Sequence, residues 1–213
     1  MNIEDIEFYV LHHLPLKNRL ISIKAEMEKL NIHYELITSF ETITDLDKQI
    51  YRSDLFPDKM EKCGYGAFQH TMKNSTISLL LKHREALEKI GKRNKIGCVF
   101  EDDCIFHAGF LECLKDINND NNWDVIFLGS WVFGTTKGEV IDNKYKLVPH
   151  PASRTTDAYL IKPEIAKLFA EDLYKEYSAP ADFEMSYQMW KNNCKVYHLL
   201  DSKISSKSFP SSL

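Results

Sequence analysis

No stretch of this 213-residue chain is apolar for the roughly twenty residues that a bilayer-spanning helix needs. The N-terminus carries Glu4 and Asp5 where a secretory leader would be basic and then apolar. Any attachment to a membrane is therefore expected to come from outside the chain. The five cysteines, Cys63, Cys98, Cys104, Cys113 and Cys194, are odd in number and form no Cys-x-x-Cys pair. That speaks against a disulfide framework or a structural zinc site, and for reduced thiols in a cytoplasmic protein. An excess of basic charge is missing too: 27 Lys and Arg stand against 31 Asp and Glu, for a net charge of -4, and they are scattered. No surface built to neutralise nucleic-acid phosphates is expected, although a local basic pocket remains open. The segment His12-His13-Leu14-Pro15-Leu16-Lys17-Asn18-Arg19 holds no glycine, so no Gly-rich phosphate loop follows the first apolar run. Internal repeats and low-complexity blocks are also lacking.

What is present suits one domain. A 44% hydrophobic and 27% charged composition can fill a single core. Ile6 to Leu11 reads as a buried strand, Leu16 to Leu30 as an amphipathic helix with Leu20, Ile23, Met27 and Leu30 on one face, and Tyr34 to Ile37 as a second strand. That is a βαβ unit, which favours a right-handed crossover and parallel pairing. Glu41 to Gly66 reads as loop with a short helix. A long helix is predicted from Met72 to Ile90, ended by Gly91. Strands are expected at Ile96 to Phe100, Trp123 to Leu128, Ala158 to Ile161 and Val196 to Leu200, with polar strands between Glu139 and Val148 around an Asp142–Asn143 turn. Helices are expected at Phe110 to Ile117, from Pro163 to about Tyr177, and from Phe183 to Asn193 with Asp182 as N-cap. The alternation gives an α/β class: a single-domain, Rossmann-like, mainly parallel sheet flanked by helices, over residues 1–204. The Ser-rich stretch 205–213 reads as a flexible tail or the start of a linker.

Glu101-Asp102-Asp103 is the most informative triplet. Three adjacent carboxylates repel one another, and they stand where an apolar strand leaves the sheet. Ligands of such sheets bind beyond the carboxyl ends of the strands. A hard divalent cation takes oxygen donors, often one or two carboxylates plus substrate phosphate oxygens. The bland alternative is a solvated acidic turn.

The order of motifs resembles glycosyltransferase family 25, the lipooligosaccharide and procollagen galactosyltransferase type. Four segments carry the likeness. The first is the strand and loop from Phe8 to Arg19, with His12 and His13 where that family has Asn and Leu. The second is Leu80-Leu81-Lys82-His83-Arg84-Glu85-Ala86-Leu87, with Lys82 replacing a Ser before the His. The third is Val99-Phe100-Glu101-Asp102-Asp103, a DXD-like motif, followed by Trp123-Asp124-Val125-Ile126-Phe127-Leu128-Gly129. The fourth is Asp157-Ala158-Tyr159-Leu160-Ile161 and then Pro180-Ala181-Asp182-Phe183, with Asp157 where the family often has His. The resemblance implies a GT-A-type fold, a UDP-sugar donor, UDP-glucose or UDP-galactose, and Mn2+ or Mg2+. It implies a glycan or glycoprotein acceptor and inversion at the anomeric carbon.

Roles follow residue by residue. Asp103 is the first candidate metal ligand. Glu101, two residues earlier and on the same side, is expected to face the ribose or the metal, with Asp102 opposite. Leu11, His12, Arg19 and His83 join Glu101 and Asp102 as candidate nucleotide-sugar contacts, and His198 as a late metal ligand. Asp182 is the candidate base for the acceptor hydroxyl, with Glu184 as its substitute. His150, Ser153, Arg154 and Trp131 are candidates for lining the sugar sites. The rival readings are a sugar-phosphate nucleotidyltransferase, which the glycine-free loop disfavours, and a non-catalytic sugar-nucleotide-binding domain.

Overall fold

The computed structural model describes residues 1–67, 70–117, 122–129, 139–141, 144–148 and 156–207. The chain opens with β1 (Ile6–Leu11), α1 (Lys17–Leu30) and β2 (Glu35–Ile37), the expected βαβ unit, with β1 parallel to β2. The segment read as loop holds two short helices, α2 (Asp45–Lys48) and α3 (Phe56–Lys62). Then come α4 (Asn74–Arg93), β3 (Ile96–Glu101), β4 (Cys104–Phe106), α5 (Phe110–Asp116), β5 (Val125–Phe127), β6 (Glu139–Ile141) and β7 (Tyr145–Val148). The last elements are β8 (Ala158–Ile161), α6 (Pro163–Lys175), α7 (Ala181–Lys191), β9 (Val196–Leu199) and β10 (Ile204–Ser206).

Eight strands form one sheet in the order β2-β1-β3-β8-β5-β9-β7-β6. β1, β2 and β3 run together and β5 runs with β9, while β8 and β7 run against their neighbours. The fold is thus α/β with a mixed sheet in which most strands share one direction. β10, which runs into the stretch read as tail, pairs antiparallel with β4.

Strand alternation makes two cores, one on each face. Tyr9, Leu11, Val99, Phe127 and Tyr159 pack against α4, α6 and α7. Phe8, Val10, Phe100, Ile126 and Leu160 pack against α1 and α5. Two expectations need correction. Gly91 does not end α4, which continues to Arg93 and is closed by Asn94 in the left-handed region, at φ 54°. Gly91 instead lets α6 approach: a Cβ there would lie 2.9 Å from the Cβ of Lys167. Asp182 is not the N-cap of α7, because the helix starts at Ala181 and Pro180 takes the cap position, so Asp182 sits inside the first turn.

Candidate active site

The site grows from the point where β1 and β3 end side by side, with Leu11 opposite Glu101. Alternation along β3 sends Glu101 toward α4 and Asp102 toward α1. On the α4 side, Thr156 Oγ1 donates to Glu101 Oε1 at 2.9 Å, and His83 Nε2 lies 3.5 Å from the same oxygen. The buried His83 ring also meets the Tyr159 hydroxyl through Nδ1 at 3.1 Å. Burial works to raise Glu101, but His83, Thr156 and the charge of Arg19 outweigh it and hold this carboxyl below its ordinary value.

On the α1 side, Asp102 is buried and both its oxygens are taken. His12 Nδ1 donates to Oδ2 at 2.6 Å, and Arg19 Nη1 donates to Oδ1 at 2.9 Å. The same Arg19 nitrogen stands 3.0 Å from Asp103 Oδ2. Asp102 therefore anchors His12 of the β1 loop and Arg19 of α1 and does not present itself to a ligand. The expectation that Asp103 shares a side with Glu101 also needs adjusting. β3 ends at Glu101, so alternation stops, and the following turn brings Asp103 round to Arg19 beside Asp102.

Asp103 keeps some exposure, 18% of its side chain, and burial together with the Glu101 charge lifts its carboxyl to about 6. Surplus negative charge of this kind is what a cation relieves, and the donors are the hard oxygens that Mg2+ or Mn2+ prefers. Among the described residues no three of His, Cys, Asp or Glu gather as a metal centre, so His198 does not join Asp103 and Glu101. The His198 ring instead stacks on Phe127, with centroids 4.8 Å apart. A cation here would take one or two protein carboxylates, the rest coming from substrate and water.

Asp182 carries the second perturbed carboxyl. Burial raises it to about 6, a hydrogen bond from the Phe183 backbone opposes the rise, and the charge of Glu101 adds to it. Glu184, the substitute base, is fully buried and engaged: it accepts from Lys59 Nζ at 2.7 Å and from the backbone N–H groups of Ser178 and Ala179 at 3.0 and 3.1 Å. With both oxygens engaged and the side chain closed off from solvent, Glu184 is withdrawn as a base. Trp131, His150, Ser153 and Arg154 lie outside the described residues.

A cleft of about 590 Å³ opens beside this cluster, between the β1 loop and the start of α4. Leu11, Leu16, Ile43 and Leu79 give it apolar walls, Asn74 and Ser78 come from α4, and Arg19, Glu101 and Asp102 close one end. Sequence reading missed the pair that ties its rim. Glu41 accepts from Lys82 Nζ at 3.1 Å and from the Leu14 backbone at 3.2 Å, and Lys82 also donates to Ser78 Oγ at 2.8 Å. The clue lay in Lys82, an amine on the buried face of α4 that requires a nearby anion. Asp157, which stands where the family often has His, lies against the same strand end. Its carbonyl accepts from the Glu101 N–H at 2.8 Å, and a Cβ on Gly129 would lie 2.4 Å from both carboxylate oxygens.

Residues 13–185 match the profile of glycosyltransferase family 25, described as an LPS biosynthesis protein. The chain belongs to glycosyltransferase family 25. The match spans the cluster apart from Leu11 and His12, and it ends before His198. No curated protein matches this chain. Among solved structures, a protein assigned as a glucose-1-phosphate thymidylyltransferase from Bacillus anthracis, solved with sucrose, is similar at 12% identity. That alignment covers 94% of this chain and 89% of the other, with a TM-score of 0.50. A 4-diphosphocytidyl-2C-methyl-D-erythritol synthase from Anaerococcus prevotii aligns at 14% identity over 93% and 90% of the two chains, with a TM-score of 0.47. The Bacillus likeness bears on the fold alone, an α/β sheet flanked by helices.

Proposed function

We propose that this family 25 glycosyltransferase moves a hexose from a UDP-sugar to a hydroxyl of a glycan or glycoprotein acceptor, with inversion. The observation that carries this reading is the meeting of two features at the end of β3. A cleft large enough for a nucleoside ends at Arg19, Glu101 and Asp102, and the partly exposed Asp103 stands beside Arg19. The uridine would occupy the cleft and the diphosphate would lie against Arg19, whose guanidinium makes charge-assisted hydrogen bonds to phosphate oxygens. Asp103, with Glu101, would hold Mn2+ or Mg2+, and such an ion would supply Lewis-acid neutralisation of the leaving diphosphate.

In the transfer, the acceptor oxygen forms its bond to the anomeric carbon from one face. The bond from that carbon to the diphosphate oxygen breaks on the other, and its electrons leave with UDP. The hydroxyl proton passes to Asp182, whose lifted carboxyl suits a general base that works near neutral pH. His83 and Thr156 keep Glu101 ionised beside it. The nucleotidyltransferase reading has a likeness of fold behind it but lacks the glycine-rich loop after β1.

A thermal-shift panel of UDP, GDP, CDP and ADP, each with and without manganese, tests the donor. Stabilisation by UDP that requires the metal is expected, by mass action on the folded state. Preference for another nucleotide would remove the uridine assignment, and equal shifts without metal would remove the ion.

A further inference from the structure

α7 starts without an ordinary cap. Pro180 has no backbone N–H and offers no capping side chain, and no side-chain hydrogen bond closes the cap position. The donors just upstream, the N–H groups of Ser178 and Ala179, both turn back onto Glu184 Oε2, from one turn inside the helix. The other oxygen of Glu184 takes Lys59 Nζ at 2.7 Å, an amine brought in by α3, 125 residues earlier in the chain. Both side chains are withdrawn from solvent, 4% exposed for Lys59 and 0% for Glu184. The ammonium also lies 4.8 Å from the centre of the Tyr187 ring, a further contact with α7. Ser186 Oγ closes the same turn by donating to the Asp182 carbonyl at 2.9 Å.

A buried ion pair is a costly way to join two helices, since apolar side chains of similar volume often do so with equal or greater stability. What such a pair supplies is direction. Each donor must meet a particular oxygen, so the path of Ser178 to Pro180 and the pitch of the first turn of α7 are fixed together. Asp182 stands in that turn, between the restrained segment and Glu184.

We propose that Lys59 and Glu184 are a positioning pair that sets where the Asp182 carboxylate stands relative to the acceptor hydroxyl. This rests on the reading of Asp182 as the base. Lys59 lies in the stretch that reads as loop with a short helix, so α3 becomes part of the machinery without touching substrate. A displacement of about 1 Å in a reacting group can slow chemistry about a hundredfold.

The test uses UDP-galactose with manganese and follows UDP release for the whole chain and three variants. Glu184→Gln is expected to lower kcat by about tenfold or more while KM for UDP-galactose stays within about twofold, because neither Lys59 nor Glu184 lines the donor cleft. The double variant Lys59→Met/Glu184→Met replaces the charges with side chains of similar length and is expected to melt no lower than the parent, yet to remain as slow as Glu184→Gln. Asp182→Asn serves as the reference. If Asp182→Asn releases UDP at the parent rate, the base assignment fails and takes this inference with it. If Asp182→Asn is slow while either charge-removing variant is folded and turns over like the parent, the positioning role alone is overturned.

Discussion

Asp182 holds its proton to about pH 6 because burial and the neighbouring Glu101 charge both disfavour the anion. Two consequences follow with opposite signs. For the reaction, the proposed base acts only when deprotonated, so the rate is expected to rise through pH 6 and level above it. For the fold, the carboxyl has a higher pKa folded than unfolded, so the native state binds more protons between the ordinary value of 3.8 and about 6. Its contribution to stability is therefore fully present at low pH and lost as pH rises through that window. Asp182→Asn removes the burden. The variant is expected to lose turnover by orders of magnitude yet to be more stable than the parent by about 3 kcal/mol at pH 8, with most of the difference gone by pH 4. Urea melts at the two pH values check this; equal stability at pH 8 would mean that the carboxylate is not buried as described. At Asp102 the same substitution is expected to destabilise. Its two oxygens satisfy His12 and Arg19, so Asp102→Asn leaves one of those donors facing an amide N–H. A loss of about 1–3 kcal/mol in stability is expected, together with weaker binding of UDP as Arg19 comes loose, measured by melts and by titration calorimetry.

At the scale of elements, the end of β3 decides the chemistry, because alternation splits adjacent carboxylates between two helices. Much of this was legible in advance. The apolar runs of β1, β3, β5, β8 and β9 and the buried face of α4 carry their periodicity openly, and the acidic end of β3 follows from the abrupt change after Phe100. What was not legible depended on distance in the chain. The engagement of Glu184 by Lys59 spans 125 residues, and nothing local to Ala181-Asp182-Phe183-Glu184 distinguishes an accepting base from a buried anchor. Gly91 misled for a related reason: a glycine late in a helical pattern reads as a stop, whereas here it marks the crossing with α6. Gly91→Ala should test that reading. Alanine favours a helix by about 1 kcal/mol over glycine, but its Cβ would meet the backbone of Lys167 at 3.0 Å, so net destabilisation of about 1–3 kcal/mol is expected in thermal melts. A more stable variant would show that α4 and α6 do not approach so closely.

For the whole molecule, the mixed sheet acts as a platform between two cores, and the working groups collect along one end of it. The β1 loop and the start of α4 enclose the cleft, β3 delivers the carboxylates, and α7 brings Asp182 within reach of the Glu101 charge. β8, which runs against its neighbours β3 and β5, begins at this same end and contributes Thr156 and Asp157 just before its first residue. No helix of the described residues is long and apolar enough to cross a membrane. The central claim is that this end of the sheet holds a cation against a sugar-linked pyrophosphate. A crystal of the protein grown with UDP and manganese tests it most directly. The account predicts uridine in the cleft beside Leu11 and Leu79, the diphosphate against Arg19, and the ion on Asp103. Nucleotide and metal bound elsewhere, with Asp103 still paired only to Arg19, would contradict it.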